Sequence, residues 1–299
     1  METTHLSFHG QVGLITGAGG GLGLAYARLL ARLGATLALH DVGAGTDGSG
    51  SDPRRVTAAA TQLQSLGLQA TGHGQPIDTR AQCHALIADV LHHHGRLDFL
   101  IHNAGWVEYQ PVEDVDEAHV EHMFAIAAKA PLWLAQAAWP VMRAAGGGRI
   151  VLTTSDRALY PQYVQHGLAS YAMAKMAALG LLNVLAAEGA PAGIIVNAVS
   201  PVAKTRMWGA QDEPDELHPA QVATGVAWLA SRRCMDGGWI LRASNGQFHA
   251  TRAQDADGVA YPRDLRAVTA DTVDAFDAAW RCIAVPNRES RSDRPALLT

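Results

Sequence analysis

The chain has 299 residues, of which 48% are hydrophobic and 17% charged, which excludes a disordered or collagen-like polymer and leaves ample material for a core. Twenty-three Lys and Arg stand against 28 Asp and Glu, a net charge of −5 with no basic block, so nothing marks a nucleic-acid surface. A small-molecule partner is the expectation.

In chain order, short β-branched or Leu-rich runs fall at 11–16, 36–41, 69–73, 99–103, 149–154, 194–200 and 239–242. Segments with helical periodicity separate them at 22–33, 54–66, 81–93, 118–129, 131–145, 168–188 and 221–229. Each crossover helix must cover one face of the sheet its strands form, so the alternation predicts an α/β fold: a doubly wound, seven-stranded parallel sheet in three layers. The stretch 42–53, VGAGTDGSGSDP, is too rich in Gly, Ser and Asp to pack and reads as a flexible connection. After Arg242 the pattern loses its strands, 243–265 looks irregular, and a last amphipathic helix over 271–283 places Val273, Phe276, Ala279 and Trp280 on one face. Residues 1–299 thus read as one domain with a C-terminal extension from about 243.

Directly after the first strand comes Thr16-Gly17-Ala18-Gly19-Gly20-Gly21-Leu22-Gly23, inside which a helix opens. Glycines permit the tight turn and let backbone N–H groups approach a pyrophosphate, whose charge the helix N-terminus favours, as in Rossmann-type folds. Asp41 ends the second strand 18 residues after Gly23, where a carboxylate accepts ribose hydroxyls and repels a 2′-phosphate; NAD is favoured over NADP.

Tyr171 and Lys175 lie four apart at the start of a long apolar helix and so share a face. A nearby ammonium favours the phenolate, which would exchange a proton with an alcohol or carbonyl oxygen during hydride transfer. Such a pair alone is more often an ordinary helix start. Here it joins the glycine turn, His102-Asn103-Ala104-Gly105 after the fourth strand and Ser155 after the fifth.

Together these residues resemble the short-chain dehydrogenase/reductase family over residues 8 to about 242. The resemblance implies that Ser155 hydrogen-bonds the substrate oxygen, Tyr171 is the acid/base, and Lys175 lowers the tyrosine pKa while holding the nicotinamide ribose. It implies that Asp78 lies near the adenine and that Asn103, in the turn with Ala104 and Gly105, lines the cofactor site. A finer similarity, to the (3R)-hydroxyacyl-CoA dehydrogenase units of peroxisomal multifunctional enzymes and their bacterial single-domain relatives, rests on the Gly-rich loop after His40-Asp41, on 149–155, on 175–189, and on Ser200-Pro201 followed by Arg206-Met207.

Three departures from the family pattern stand out. Ala127 occupies the position of an asparagine that often organises a relay water. Ser155 and Tyr171 are sixteen residues apart, about three more than usual, and Val202 follows Pro201 where glycine is usual. Thr205 remains available to a carboxamide or pyrophosphate. Trp106, Tyr163, His166 and Trp208 are candidate pocket residues by position, with Glu108 and Met207 beside them; for each, plain packing or exposure is an equal alternative.

Cys83, Cys234 and Cys282 lack metal-ligand spacing and read as buried small hydrophobes. The consecutive His92, His93 and His94 read as a solvated helix end, so no metal is expected. Apolar stretches are interrupted by Arg28, Arg32, Lys129 and Gln136, which predicts no membrane span, and residues 1–10 lack the features of a signal peptide. The expectation is a cytoplasmic homodimer or homotetramer: an NAD-dependent oxidoreductase of a secondary alcohol, with a 3-hydroxyacyl-CoA-type substrate in view. The alternatives are a steroid, polyketide-like or xenobiotic alcohol dehydrogenase and, from another class, a non-catalytic NAD-binding regulator.

Overall fold

A computed structural model describes residues 5–206, 214–255, 259–263 and 269–283. Residues Met1–Arg252 form one compact unit and Ala253–Thr299 a second. In the first, strands β1 (Val12–Thr16), β2 (Thr36–His40), β3 (Ala70–His73), β4 (Phe99–His102), β5 (Gly148–Thr153), β6 (Ile194–Val202), β7 (Ile240–Ser244) and β8 (Gln247–Thr251) make one sheet in the order β3-β2-β1-β4-β5-β6-β7-β8. All neighbours pair in parallel except β7 and β8.

Strands β1, β4 and β5 are buried along their whole length, as continuous apolar runs between two helical layers must be. One layer is α1 (Gly21–Arg32), α2 (Arg54–Ser65) and α8 (Pro219–Leu229); their core includes Tyr26, Leu30, Leu63 and Val226. The other layer holds α3 (Arg80–His94), α5 (Ala130–Ala144) and α7 (Ala169–Gly189), with Leu86, Leu134 and Leu182 buried. Strand order reverses between β1 and β4, and the carboxyl ends of those strands open the crevice where ligands of such sheets bind.

The eighth strand extends the seven-stranded expectation, and it falls within 243–265, which reads as irregular in sequence. Asn245 and Gly246 adopt φ of 50° and 73°, the two positive values that a two-residue hairpin turn needs. Because β8 is exposed over most of its length, it carries no apolar alternation to announce it.

The helical stretch 117–144 is continuous: α4 (Glu117–Phe124) passes through a wide π turn (Ala125–Lys129) into α5. Helix α7 and the turn after it, Ala169–Ala192, have a mean hydropathy of 1.3 and are long enough to cross a membrane. This differs from the expectation that no apolar stretch is long enough to span a membrane. Its buried positions, among them Lys175, Ala178 and Leu182, face the sheet, which accounts for the apolarity. Cys83 and Cys234 are buried and free, and among the described residues no His, Cys, Asp or Glu cluster suits a metal ion. His73 and His93 share the Asp89 carboxylate, at 2.7 and 3.3 Å.

In the second unit the described helix is α9 (Val273–Ile283), whose Phe276 and Trp280 rings lie 5.9 Å apart along one face.

Candidate active site

At the end of β1 the Thr16 hydroxyl accepts the backbone N–H groups of Asn103 (3.0 Å) and Ala104 (3.1 Å) and lies 3.0 Å from His102 Nδ1. His102 Nε2 stands 3.0 Å from the Ile126 carbonyl of the π turn. A carbonyl only accepts, so Nε2 carries the hydrogen and Nδ1 receives the Thr16 proton. Burial, with the Lys175 charge second, pushes the His102 pKa down to about 3, which keeps this ring neutral. Asn103 Nδ2 donates to the Gly17 carbonyl at 3.1 Å. A side chain at Gly17, where φ is +67°, would start 2.9 Å from the Ala104 backbone, so the two turns approach as closely as they do only with glycine there.

Asp41, directly after β2, has both oxygens engaged. Oδ2 accepts the Gly19 N–H at 2.8 Å and Oδ1 the Gly43 N–H at 2.7 Å. A carboxylate offers about four acceptor sites, so capacity remains for two ribose hydroxyls while the same side chain ties the glycine turn to the following loop. Asp41 lines a cavity of about 410 Å³ together with Gly17, Gly21, Leu22, Asp78, Asn103 and Thr205 among others, Ala104 and Gly105 included. Thr16, Gly19 and Gly23 do not line it.

The Gly-rich stretch 42–53 forms one wall of this cavity. It is organised internally: Gly45 N–H donates to the Ser49 carbonyl, Asp52 N–H to that of Val42, and Arg55 to that of Ala44 at 2.8 Å. Gly48, at φ +78°, lies against the Trp106 indole, and a Cβ there would be 2.5 Å from the ring. Trp106 is buried, packs on His122 with ring centroids 4.6 Å apart, and its Nε1 has no hydrogen-bond partner. His122 in turn stands 3.4 Å from Asp78. Neither His122 nor the loop's contact with Trp106 was apparent from the sequence, because both depend on which way a helix and a loop turn.

A second cavity, of about 120 Å³, shares Leu22, Asn103, Gly105, Trp106 and Thr205 with the first. Ser155, Tyr171, Lys175 and Pro201 line it too, so the three proposed catalytic side chains come together. Ser155 follows β5 and caps the short helix α6 (Asp156–Leu159), accepting the Arg157 N–H at 3.3 Å. Tyr171 and Lys175 stand one turn apart on α7, both buried. Lys175 Nζ donates to the Thr153 carbonyl (3.3 Å) and lies 5.9 Å from the Tyr171 ring centroid.

Burial pushes the Lys175 ammonium down to about 8. It also raises the Tyr171 phenol, against which a hydrogen bond from Ser155 and the charge of Arg157 both act. Arg157, a residue that nothing in the sequence marks, is thus a second cation whose charge favours the phenolate, beside Lys175 over the ring.

The segment between Ser155 and Tyr171 is folded. After α6, a 3₁₀ turn (Pro161–Tyr163) brings Tyr160 and Tyr163 under the Arg242 guanidinium, at 4.7 and 5.6 Å from its carbon. Arg242 also pairs with Asp156 at 2.8 Å. Gln110 bridges to Leu168, and the Tyr109 hydroxyl donates to Gln165 at 2.9 Å while accepting from Arg157 at 2.8 Å. Tyr163 and His166 are exposed and line neither cavity. Trp106 lines both, and Glu108 pairs with His119 at 3.1 Å. Trp208 and Met207 lie outside the described residues. Ala127 is buried with Leu168, Tyr171 and Trp106, so its methyl belongs to an apolar cluster beneath the phenol.

A family model described as short chain dehydrogenase matches residues 11–216. The chain is 30% identical over 258 residues to the peroxisomal multifunctional enzyme type 2 of Drosophila melanogaster, aligning 84% of its own length but 42% of the fly protein. It is 29% identical over 272 residues to the peroxisomal hydratase-dehydrogenase-epimerase of Saccharomyces cerevisiae, covering 90% of this chain and 30% of that one. The chain thus spans less than half the length of either relative. Among solved structures, a short chain dehydrogenase from Mycobacterium avium superposes with a TM-score of 0.78 at 27% identity, covering 92% of this chain and 95% of that one.

Proposed function

The chain belongs to the short-chain dehydrogenase family, an oxidoreductase family that uses a nicotinamide cofactor, and we propose that it interconverts a secondary alcohol of the 3-hydroxyacyl type and its ketone with NAD. The observation that carries this reading is the shared lining of the two cavities: Ser155, Tyr171 and Lys175 flank one end of a crevice whose other end holds the glycine turn and Asp41.

The cradle fits a dinucleotide. Gly17 and Gly21 present bare backbone at the N-terminus of α1, which suits a pyrophosphate. Asp41, with acceptor sites to spare beside its Gly19 and Gly43 bonds, suits unphosphorylated ribose hydroxyls, and its charge supports NAD over NADP. The bound nicotinamide supplies the two-electron acceptor for the carbinol hydrogen. At the other end Ser155 hydrogen-bonds the substrate oxygen, and Tyr171 accepts the hydroxyl proton at its phenol oxygen in the oxidation direction, returning it in reduction. Lys175, held by the Thr153 carbonyl, adds positive charge that favours the phenolate.

With Ala127 in an apolar cluster, no side chain at that position can hold a relay water. Helix α7 exposes Met173, Met176 and Val184, the apolar strip through which a second copy would pack. NADH binding followed by fluorescence, with turnover measured on a panel of 3-hydroxyacyl compounds and cyclic alcohols, tests the reading; binding without turnover of any carbonyl would favour a regulator instead.

A further inference from the structure

Three hydrogen bonds that involve side chains converge on His102, which stands outside the reacting trio. Nδ1 of its buried ring receives the Thr16 hydroxyl hydrogen and Nε2 donates to the Ile126 carbonyl, each at 3.0 Å. Its own carbonyl accepts the Thr153 hydroxyl at 2.7 Å, and the Thr153 carbonyl holds the Lys175 ammonium at 3.3 Å. The supports of the glycine turn, of the π turn and of Lys175 therefore meet on one residue.

The two ends of the ring act on different parts of the site. Thr16 has a single hydroxyl hydrogen, and because that goes to Nδ1, its lone pairs are left to accept the Asn103 and Ala104 N–H groups. Those two residues line the large cavity. Ile126 belongs to the π turn Ala125–Lys129, a stretch in which the helix's own i→i+4 bonds are displaced, so a donor from outside steadies it. Ala127, next in that turn, is buried in one cluster with Tyr171 and Leu168. What fixes the turn thus also fixes the packing against the phenol. A neutral imidazole presents an acceptor at one end and a donor at the other, whereas an imidazolium presents two donors; burial, with the Lys175 charge second, keeps this ring neutral.

We propose that His102 is a positioning residue of this active site: a strut whose Nδ1 end sets the turn that faces the cofactor and whose Nε2 end sets the π turn packed against Tyr171. This rests on the dehydrogenase reading above and adds to it a residue that lines neither cavity. The two ends are separable by substitution. In His102→Asn the amide oxygen falls near the place of Nδ1 and still accepts from Thr16, while the shorter side chain stops short of Ile126. In His102→Gln the amide nitrogen falls near the place of Nε2 and still donates to Ile126, while Thr16 loses its acceptor.

The test compares both variants with the unaltered chain by NADH affinity from fluorescence, by steady-state reduction of S-acetoacetyl-N-acetylcysteamine and of cyclohexanone across pH, and by amide exchange of segments 16–23 and 125–129. His102→Asn is expected to keep the Kd for NADH within about twofold and to lower kcat roughly ten- to hundredfold, the scale of a misplaced reacting group, with faster exchange confined to 125–129. The shorter side chain also admits water beside Lys175, relieving the burial that holds its ammonium down to about 8, so the limb of the kcat/KM profile that Lys175 governs moves to higher pH. His102→Gln is expected to raise the Kd for NADH roughly three- to tenfold, with kcat nearly kept and faster exchange at 16–23. A residue that serves stability alone would instead move both constants together, in step with Tm and without displacing the pH profile; that result, or an unchanged kcat in both variants, would overturn the assignment. If the unaltered chain reduces neither compound, the dehydrogenase reading fails; segment-selective exchange in the two variants would then still uphold the strut, and exchange that is unchanged or alike in both would overturn it.

Discussion

Asp156 and Arg242, 86 positions apart in the chain, meet at 2.8–2.9 Å and fasten the segment after Ser155 to β7. Arg242 lies over Tyr160 and Tyr163 as well, so one guanidinium holds the whole enlarged stretch in place. Removing it with Arg242→Ala leaves a partly buried carboxylate uncompensated and two rings uncovered. The expected cost is about 1–3 kcal/mol, seen as a fall of several degrees in Tm, with a reduced kcat/KM because Ser155 stands at the start of the released segment. An unchanged Tm would show that the pair is incidental.

Tyr171→Phe is expected to leave NADH affinity within about twofold and to reduce turnover by roughly 10²–10⁴, the range of a lost general acid/base. Equilibrium binding and steady-state kinetics on the same preparation separate the two effects. Undiminished turnover would remove Tyr171 from the chemistry.

Asp41, proposed to hold the ribose, also accepts the backbone N–H groups of Gly19 and Gly43. Asp41→Ala should weaken NAD binding about tenfold or more while narrowing the discrimination against NADP, since the repelling charge is gone. The ratio of kcat/KM for the two cofactors is the measurement, and a ratio that stays the same would mean that other groups choose the cofactor.

Gly48→Val tests the loop over the large cavity. The backbone there has φ +78° and a Cβ would meet the Trp106 indole, so the loop must lift, at a cost of about 1–3 kcal/mol. The expected outcome is a several-fold rise in the Kd for NADH and a change in Trp106 fluorescence. Should cofactor affinity be indifferent to this substitution, the loop is only an edge of the cavity and not a wall that matters.

The buried His102 predicts a direction for acid stability. Its pKa is about 3 in the fold against ~6.5 for a free imidazole. Below ~6.5 the unfolded chain therefore takes up a proton that the folded chain refuses. Its contribution is fully present above that value and is lost as pH falls toward about 3, by as much as ~1.4 kcal/mol per unit. His40, whose pKa burial also lowers, adds in the same direction. Denaturant titrations between pH 7 and 4 should show this slope, and His102→Asn, which keeps an acceptor near Thr16, should flatten it; a slope the substitution leaves intact would place the acid sensitivity elsewhere.

The same residues show where reading along the chain succeeds. The glycine turn from Thr16 to Gly23 and the shared face of Tyr171 and Lys175 were legible because strand ends and helical turns are local features; Asn103 to Gly105 and Ser155 were marked by the resemblance to short-chain dehydrogenases. Tyr163 and His166 are near the site in sequence and outside its lining in space, since Arg242 draws Tyr160 and Tyr163 toward β7.

Sequence by itself thus determined the layered α/β order and the shared helical face of Tyr171 and Lys175, because crossover geometry and helix period are properties of short stretches. Tertiary structure alone decided that Arg157 bonds Tyr109, that Gly48 closes on Trp106, that Asp156 is already taken by Arg242, and that the His102 ring is neutral. Each of these depends on a partner from 48 to 86 residues away or on how completely water is excluded, and neither distance in space nor burial is written in local spacing.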